Sequence, residues 1–288
     1  KIMNTFFLDR LNSEPHALAF AGQSTPWPVA LADQSANPAL DEALHTHAAA
    51  AQALLYPVSA ELLATTGRPV DLFGFEPNPA RLGAAAAASA SVPGIALTQL
   101  GALLDAAALG YNPAQAKPVA VLGHSQGVLA VHMVQAICEA GSIDAAAAKI
   151  DEILAIATLI GVAGTRQARQ LGLAARHGEA TPMLSVKDIT RAQVDALIER
   201  VDGARGPIAV AVTNSATHYV LSGYPEDLAA FGVEVAKEHK RQAQLREEKV
   251  RGGRVFNPVL EYLDVTLPFH SPLMADAVSQ AVAWEIGR

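Results

Sequence analysis

The chain has 288 residues, 51% hydrophobic and 17% charged, which supplies a sizeable core and excludes a disordered chain. Its formal net charge of -7 argues against a surface built to grip nucleic acid phosphates or an anionic membrane, while leaving room for a phosphorylated ligand held by a few local basic groups. One cysteine, Cys138, rules out an internal disulfide and fits a reducing cytoplasm; it falls in an apolar helical pattern and reads as a buried structural residue.

The first residues, Lys1-Ile2-Met3-Asn4, are too polar for a signal h-region. The apolar runs are alanine-rich and broken by Gly, Pro or charge, so no membrane span is expected. Ala17 to Ala21 reads as a strand running into Gly22-Gln23-Ser24, and Pro26 and Pro28, close behind, mark this segment as a loop. Ala39 to Leu63 and Ile95 to Leu109 read as helices, ended by Thr66-Gly67-Arg68-Pro69 and by Gly110. Val119 to Leu122, between Pro118 and Gly123, is a short apolar run of the kind found in a strand buried on both faces. Val128 to Glu139 has helical spacing with Gly141 as its cap, and the helix from Ile143 onward loses its pattern near Gly161-Val162-Ala163-Gly164.

After His177-Gly178 the texture changes. Met183 to Val186, Ile208 to Thr213 and Tyr219 to Leu221 look like strands; Thr190 to Arg200 and Pro225 to Glu238 look like helices. Strand, helix, strand, strand, helix suggests a small α+β subdomain. Lys240 to Arg254 reads as a solvated charged insert, with contact to an acidic carrier protein as the alternative. A further strand is expected at Leu263 to Leu267.

Gly123-His124-Ser125-Gln126-Gly127 matches G-x-S-x-G. A strand stops just before it and a helix starts just after, the setting a nucleophile elbow requires. The tight bend strains the serine backbone, glycine neighbours leave it room, and the helix N-terminus directs N–H groups at the site. A serine is a weak nucleophile without a base in hydrogen-bond reach, and nine histidines compete for that role. His16, His45, His47, His177 and His239 read as surface residues, His124 as pointing away across the turn, and His132 and His218 as satisfied, partly buried side chains. His270 differs by lying in the loop-like Leu267-Pro268-Phe269-His270-Ser271-Pro272.

Gly-His-Ser-Gln-Gly followed about 145 residues later by Pro-Phe-His-Ser-Pro-Leu-Met resembles the malonyl/acetyl transferase family of fatty acid and polyketide synthases. Phe20-Ala21-Gly22-Gln23-Ser24 looks like that family's F-P-G-Q-G loop. Asn214-Ser215 followed by Val220-Leu221-Ser222-Gly223 looks like its N-S-P…V-I-A-G stretch. Within the family the resemblance is greatest to the acetyltransferase domain of a fungal/actinobacterial-type (type I) fatty acid synthase. It implies an α/β acyltransferase fold: an α/β-hydrolase-like parallel-sheet core over 17–178 and 246–288, and a small ferredoxin-like α+β subdomain over 179–245.

The resemblance also implies roles. Ser125 is the nucleophile, His270 the base, and the backbone N–H groups of Gln126 and Gln23 the oxyanion hole. Ile160, Asn214 and Phe269 are the substrate-binding candidates. The family orients its histidine with a backbone carbonyl, so Asp264, six residues upstream, is not assigned to a triad. The implied chemistry is acyl transfer from coenzyme A to the phosphopantetheine thiol of an acyl carrier protein, with no permanently bound cofactor and no metal. The implied partners are acyl-CoA, the carrier domain and other domains of a fatty acid synthase. Malonyl-specific members hold the free carboxylate with an arginine in an R-G pair, where this chain has Ile160-Gly161, so an uncharged group, acetyl, is expected. Gly127-Val128 in place of Gly-Glu points the same way; Arg166 is the residue that a shifted alignment would make the clamp. The rival readings are an α/β-hydrolase using Ser125, Asp264 and His270, and a catalytically dead docking module.

Overall fold

The structure, a computed structural model, describes residues 9–23, 26–67, 84–173, 180–248 and 256–284. Two compact units emerge: residues 1–166 with 280–288, and residues 167–279. Expectations that fall on His177, on Ser24, on Arg68-Pro69 and on residues 249–254 lie outside the described residues.

In the first unit, β1 (Ala17–Phe20) pairs in parallel with β2 (Ala120–Gly123), in a register that sets Phe20 opposite Gly123. Around them lie α1 (Trp27–Ser35), α2 (Pro38–Leu54), α3 (Ser59–Thr66), α4 (Ala84–Ala108), the single turn α5 (Pro113–Ala116), α6 (Val128–Ala140) and α7 (Ala147–Gln170). The pair is not the doubly buried strand the sequence suggested. β1 is the one partner of β2 among the described residues, and Leu122 stays 59% exposed.

Helices also run where Pro and Gly predicted loops or stops. Pro28 sits in the first turn of α1, where proline's missing N–H costs nothing. Pro93 lies inside α4, which continues through Gly94 and Gly101. Those glycines are seven apart and share a face. A methyl on Gly94 would land on the Trp27 ring and one on Gly101 on the Gln34 side chain. The small residues therefore mark where α1 packs against α4. Gly161 is likewise a contact inside α7 and not a helix end: its Cβ would meet the Ala88 carbonyl at 2.6 Å. The stretch Ala88–Ala108 of α4 is long and apolar enough to cross a membrane by length and composition, but 67% of its apolar window is buried in the fold. Cys138 falls one position beyond the buried Met133, Val134, Ala136 and Ile137 of α6 and is exposed, against the buried reading. His47 is no surface residue: it bonds Asp151 across α2 and α7 at 2.6 Å, with both side chains under 15% exposed.

The second unit holds β3 (Met183–Lys187), α8 (Arg191–Ile198), β4 (Ala209–Ser215), β5 (His218–Ser222), α9 (Pro225–Glu248), β6 (Val259–Tyr262) and the start of α10 (Ala275–Ala283). The sheet order is β4-β5-β3-β6 with every neighbour antiparallel. Strand-helix-strand-strand-helix-strand in that order is the split βαβ, ferredoxin-like arrangement. β6 belongs to this sheet, paired with β3, although the expected boundary put residues from 246 in the core. Leu263 to Leu267 is no strand, because the Val265 N–H turns back onto the Leu263 carbonyl at 2.8 Å and ends the ladder. The Thr190/Gln193 capping box starts α8.

Alternation along the strands separates two faces. Leu184, Val186, Tyr219 and Leu221 pack under α8 and α9 against Val194, Leu197, Leu228 and Phe231. Burying each leucine-sized side chain contributes about 1.5–3 kcal/mol. On the other face Met183 and Val220 gather Val265, Leu263 and Phe269. The charged stretch from Lys240 extends α9, and His239, expected at the surface, is partly buried with its Nδ1 at the Phe256 carbonyl. Glu238 ties the turn after α8 to α9: its 8%-exposed carboxylate accepts from Arg241 and Gln242 of α9 and from Arg200 of that turn. The Arg241 bond, foremost among these, holds it down at about 2. A depressed carboxylate stabilises the fold above its ordinary pKa and loses that contribution as pH falls through the folded value. Glu238→Gln is therefore expected to cost about 2 kcal/mol at neutral pH, with the deficit shrinking below about pH 4. Denaturant titration of both proteins across that range checks it.

Candidate active site

Parallel pairing of β1 and β2 brings their C-terminal ends together, and the loops that leave a sheet at that edge are where α/β folds place their ligands. From β1 comes Ala21-Gly22-Gln23; from β2 comes His124, then a turn of 3-10 helix over Ser125–Gly127, then α6. The two loops lock together through backbone. His124 N–H donates to Phe20 O at 2.9 Å, and Gly127 N–H to His124 O at 2.9 Å. A methyl on Gly127 would fall on the Phe20 carbonyl. One on Gly22 would lie 2.6 Å from His124 O, 3.1 Å from Ser125 Cβ and 3.3 Å from Gln126 N. Only hydrogen fits at either position.

Ser125 has φ 52, in the left-handed region that a residue with a Cβ enters only when its surroundings force it. Four non-glycine residues with positive φ occur among the described residues: Lys117, Ser125, Asp188 and His270. Two of them are the sequence candidates for nucleophile and base. Ser125 is half-buried, at the N-terminal end of the segment that becomes α6, so the backbone N–H groups of residues 126 onward lie at a helix start.

Side chains complete the arrangement within the first unit. Gln126 Nε2 donates to Val92 O of α4 at 2.5 Å, and its Oε1 accepts from Gln23 Nε2 at 2.5 Å. Ser91 Oγ donates to Gln23 Oε1 at 3.2 Å, and Gln99 Nε2 to Ala21 O at 2.7 Å. Helix α4 thus holds both loops. Sequence reasoning missed Ser91 and Gln99, which are two of five polar side chains in a mostly apolar helix and are not set apart by spacing. Ile160 is 37% exposed and shares a face of α7 with Ile156, four residues earlier and 41% exposed. Its neighbour Gly161 packs against Ser89 and Val92, the stretch of α4 to which Gln126 bonds. Arg166 does not point free along α7: Nη1 donates to Gln280 Oε1 at 2.6 Å.

The second unit carries the other candidates. His270 is exposed, with φ 56, in the turn between Phe269 and the 3-10 segment Pro272–Met274. That turn is fixed by Ser271 Oγ donating to Pro268 O at 2.7 Å and Phe269 N–H to Leu267 O at 2.9 Å. Phe269 packs on the sheet face opposite α8 and α9 with Met183, Val220 and Val265. Asp264 is exposed. Asn214, at the exposed end of β4, approaches His218 Nε2 with its Nδ2 at 3.4 Å. His218 Nε2 also meets Ser185 Oγ at 3.1 Å, which satisfies it as the sequence suggested. This Ser/His contact does not present a nucleophile, since Ser185 is 3% exposed in the middle of β3. Among the described residues no group of three or more His, Cys, Asp or Glu side chains is placed to hold a metal ion.

Residues 182–262 match the family described as the fatty acid synthase central AT domain. The chain is 27% identical over 206 residues to the fatty acid synthase subunit beta of Schizosaccharomyces pombe, an alignment covering 65% of this chain and 10% of that protein. It spans about a tenth or less of the length of the curated relatives it matches. In fold it is similar to the malonyl CoA-acyl carrier protein transacylase of Coxiella burnetii, with TM-score 0.57 and 19% identity, covering 95% of this chain and 69% of the other. It is similar also to the malonyl-transacylase solved with its type II polyketide acyl-carrier protein as PlMCAT:AntF, with TM-score 0.56 and 17% identity over 95% and 72%. The chain thus has the α/β fold of the malonyl CoA-acyl carrier protein transacylases, and residues 182–262 of its second unit are similar to the central acyltransferase domain of fatty acid synthases.

Proposed function

We propose that this protein transfers an uncharged acyl group, acetyl foremost, from coenzyme A to the phosphopantetheine thiol of an acyl carrier protein in fatty acid synthesis, through an acyl-Ser125 intermediate. The observation that carries the reading is the strained Ser125, at φ 52, with the Gly22 loop packed so closely that no Cβ fits between them. In the proposed sequence His270 takes the Ser125 proton as Oγ attacks the thioester carbonyl. The backbone N–H groups of Gln126 and Gln23 receive the oxyanion, each worth about 3 kcal/mol in such a site. Collapse breaks the C–S bond, and the thiol of coenzyme A leaves with the proton that His270 returns. The carrier thiol then attacks the acyl-serine while His270 accepts its proton, and collapse of the second tetrahedral species breaks the ester C–Oγ bond and restores Ser125 with that proton. No metal or bound cofactor enters any step. Relatives that are fatty acid synthase subunits, and a fold neighbour solved with a carrier protein, support the carrier and the other synthase domains as partners.

The choice of an uncharged acyl group rests on what α7 offers. Ile160 and Ile156 present an apolar face, and Arg166, the nearest guanidinium by sequence, is already engaged with Gln280. A malonyl carboxylate buried without a cation would cost several kcal/mol. Acetyl-CoA is therefore expected to load the protein at least about tenfold faster than malonyl-CoA, a difference of ~1.4 kcal/mol in the barrier. Ile160→Arg is expected to narrow or reverse that preference. Competition between the two thioesters, read by intact mass, tests the assignment; exclusive malonyl loading by the wild type would overturn the acyl group and leave the serine chemistry standing.

A further inference from the structure

We propose that Ser91, Gln23 and Gln126 form a one-directional hydrogen-bond relay, anchored on helix α4, that positions the two oxyanion-hole backbone N–H groups, with Ser91 as a positioning residue that touches no substrate. The inference rests on the acyl-serine reading and deepens it.

The direction of the relay is set by donor and acceptor chemistry alone. Val92 O can only accept, so the Gln126 amide must present Nε2 to it. That leaves Gln126 Oε1 facing Gln23, which must answer with Nε2. Gln23 Oε1 is then committed to Ser91, whose hydroxyl must donate. Each amide is held in one of its two flips, and both ends of the chain sit on consecutive residues of one helix, Ser91 and Val92. The residue after them is Pro93, which fixes its own φ and carries no N–H, so this stretch of α4 is built locally unlike the rest of the helix.

What the relay holds is the spacing between two loops. Gln23 leaves the end of β1 and Gln126 sits in the turn after β2, and alongside the backbone bond from His124 to Phe20 their side-chain amides tie these two residues together. A displacement of about 1 Å between two donors aimed at one oxyanion costs roughly a hundredfold in rate. Gln99, donating to Ala21 O from two turns further along α4, is the second strut of the frame.

The test is the single-turnover rate of acyl loading from acetyl-CoA. Ser91→Ala is expected to slow loading roughly ten- to a hundredfold with little change in the concentration of acetyl-CoA giving half-maximal rate, and Ser91→Thr, which keeps the hydroxyl, to recover most of the loss. Gln126→Glu has the shape of the native side chain but sets a carboxylate against the Val92 carbonyl. Its rate relative to wild type should fall by a similar factor near neutral pH and rise again as the medium is made acidic enough to protonate it. Thermal melting of each variant separates a displaced loop from an unfolded chain. Equal loading by wild type and Ser91→Ala, or equal slowing of the Ala and Thr variants, would overturn the relay. A wild type that forms no acyl-enzyme at all would instead overturn the acyl-serine reading beneath it.

Discussion

Ser125→Ala is expected to abolish acyl loading, and His270→Ala to slow it by about a hundred- to ten-thousandfold while the chain stays folded. Both substitutions remove side chains from turns and take nothing from a core cluster: Ser125 is half-buried and His270 exposed. Neither creates a cavity of the kind that destabilises by several kcal/mol. Each native residue already holds a positive φ, 52 and 56, in a region alanine can also enter. Loss of rate with preserved melting temperature would therefore report chemistry and not folding. Release of the coenzyme A thiol in a single turnover gives the rate directly. A His270→Ala variant that loads as fast as wild type would take the base role from His270.

The second large effect concerns a residue with no side chain. Gly22→Ala is expected to slow loading about a hundredfold. Its new Cβ would sit 2.6 Å from the His124 carbonyl and 3.1 Å from Ser125 Cβ, and the first of these neighbours is backbone that cannot rotate away. The 21–23 loop must therefore withdraw from the elbow, carrying Gln23 N–H away from the Gln126 N–H. Gly232→Ala serves as the matched control. Its Cβ would meet nothing nearer than Leu260 Cδ1 at 3.6 Å, in the interior of α9, where alanine is the better helix former. Loading should be unchanged there and lost at Gly22. Equal rates for the two variants would deny the close approach of the two loops any part in the reaction.

These contacts show which parts of the molecule were legible in the sequence. The elbow was, because strand, turn and helix are consecutive and each is signalled locally: an apolar run, flanking glycines, then helical spacing into Gly141. The order of elements in the second unit was legible for the same reason. Glycine and proline misled wherever their reason is tertiary. Gly161 read as the place where a helix loses its pattern, yet it lies inside one and is small because the Ala88 carbonyl comes against it, as Trp27 and Gln34 come against Gly94 and Gly101. Pairings across long separations carried no signal in either segment alone: His47 with Asp151, and β6 with β3, which drew the strand four residues upstream of its expected start. Cys138 was misplaced by a single helical position, which suffices to turn a side chain from core to solvent. The relay through Ser91 was out of reach, since it joins two loops and a helix through side-chain amides whose orientation only coordinates reveal.

Every step proposed for the reaction passes through one ester bond. The protein is mixed with acetyl-CoA, quenched in acid before a carrier thiol is added, digested, and its peptides are weighed and fragmented. One acetylated peptide is expected, containing Gly123 to Gly127, with the acetyl group on Ser125 and its release by a pantetheine thiol. Acetyl on any other residue, Ser185 included, or no covalent adduct in a protein that still transfers acetyl, would contradict the acyl-Ser125 mechanism.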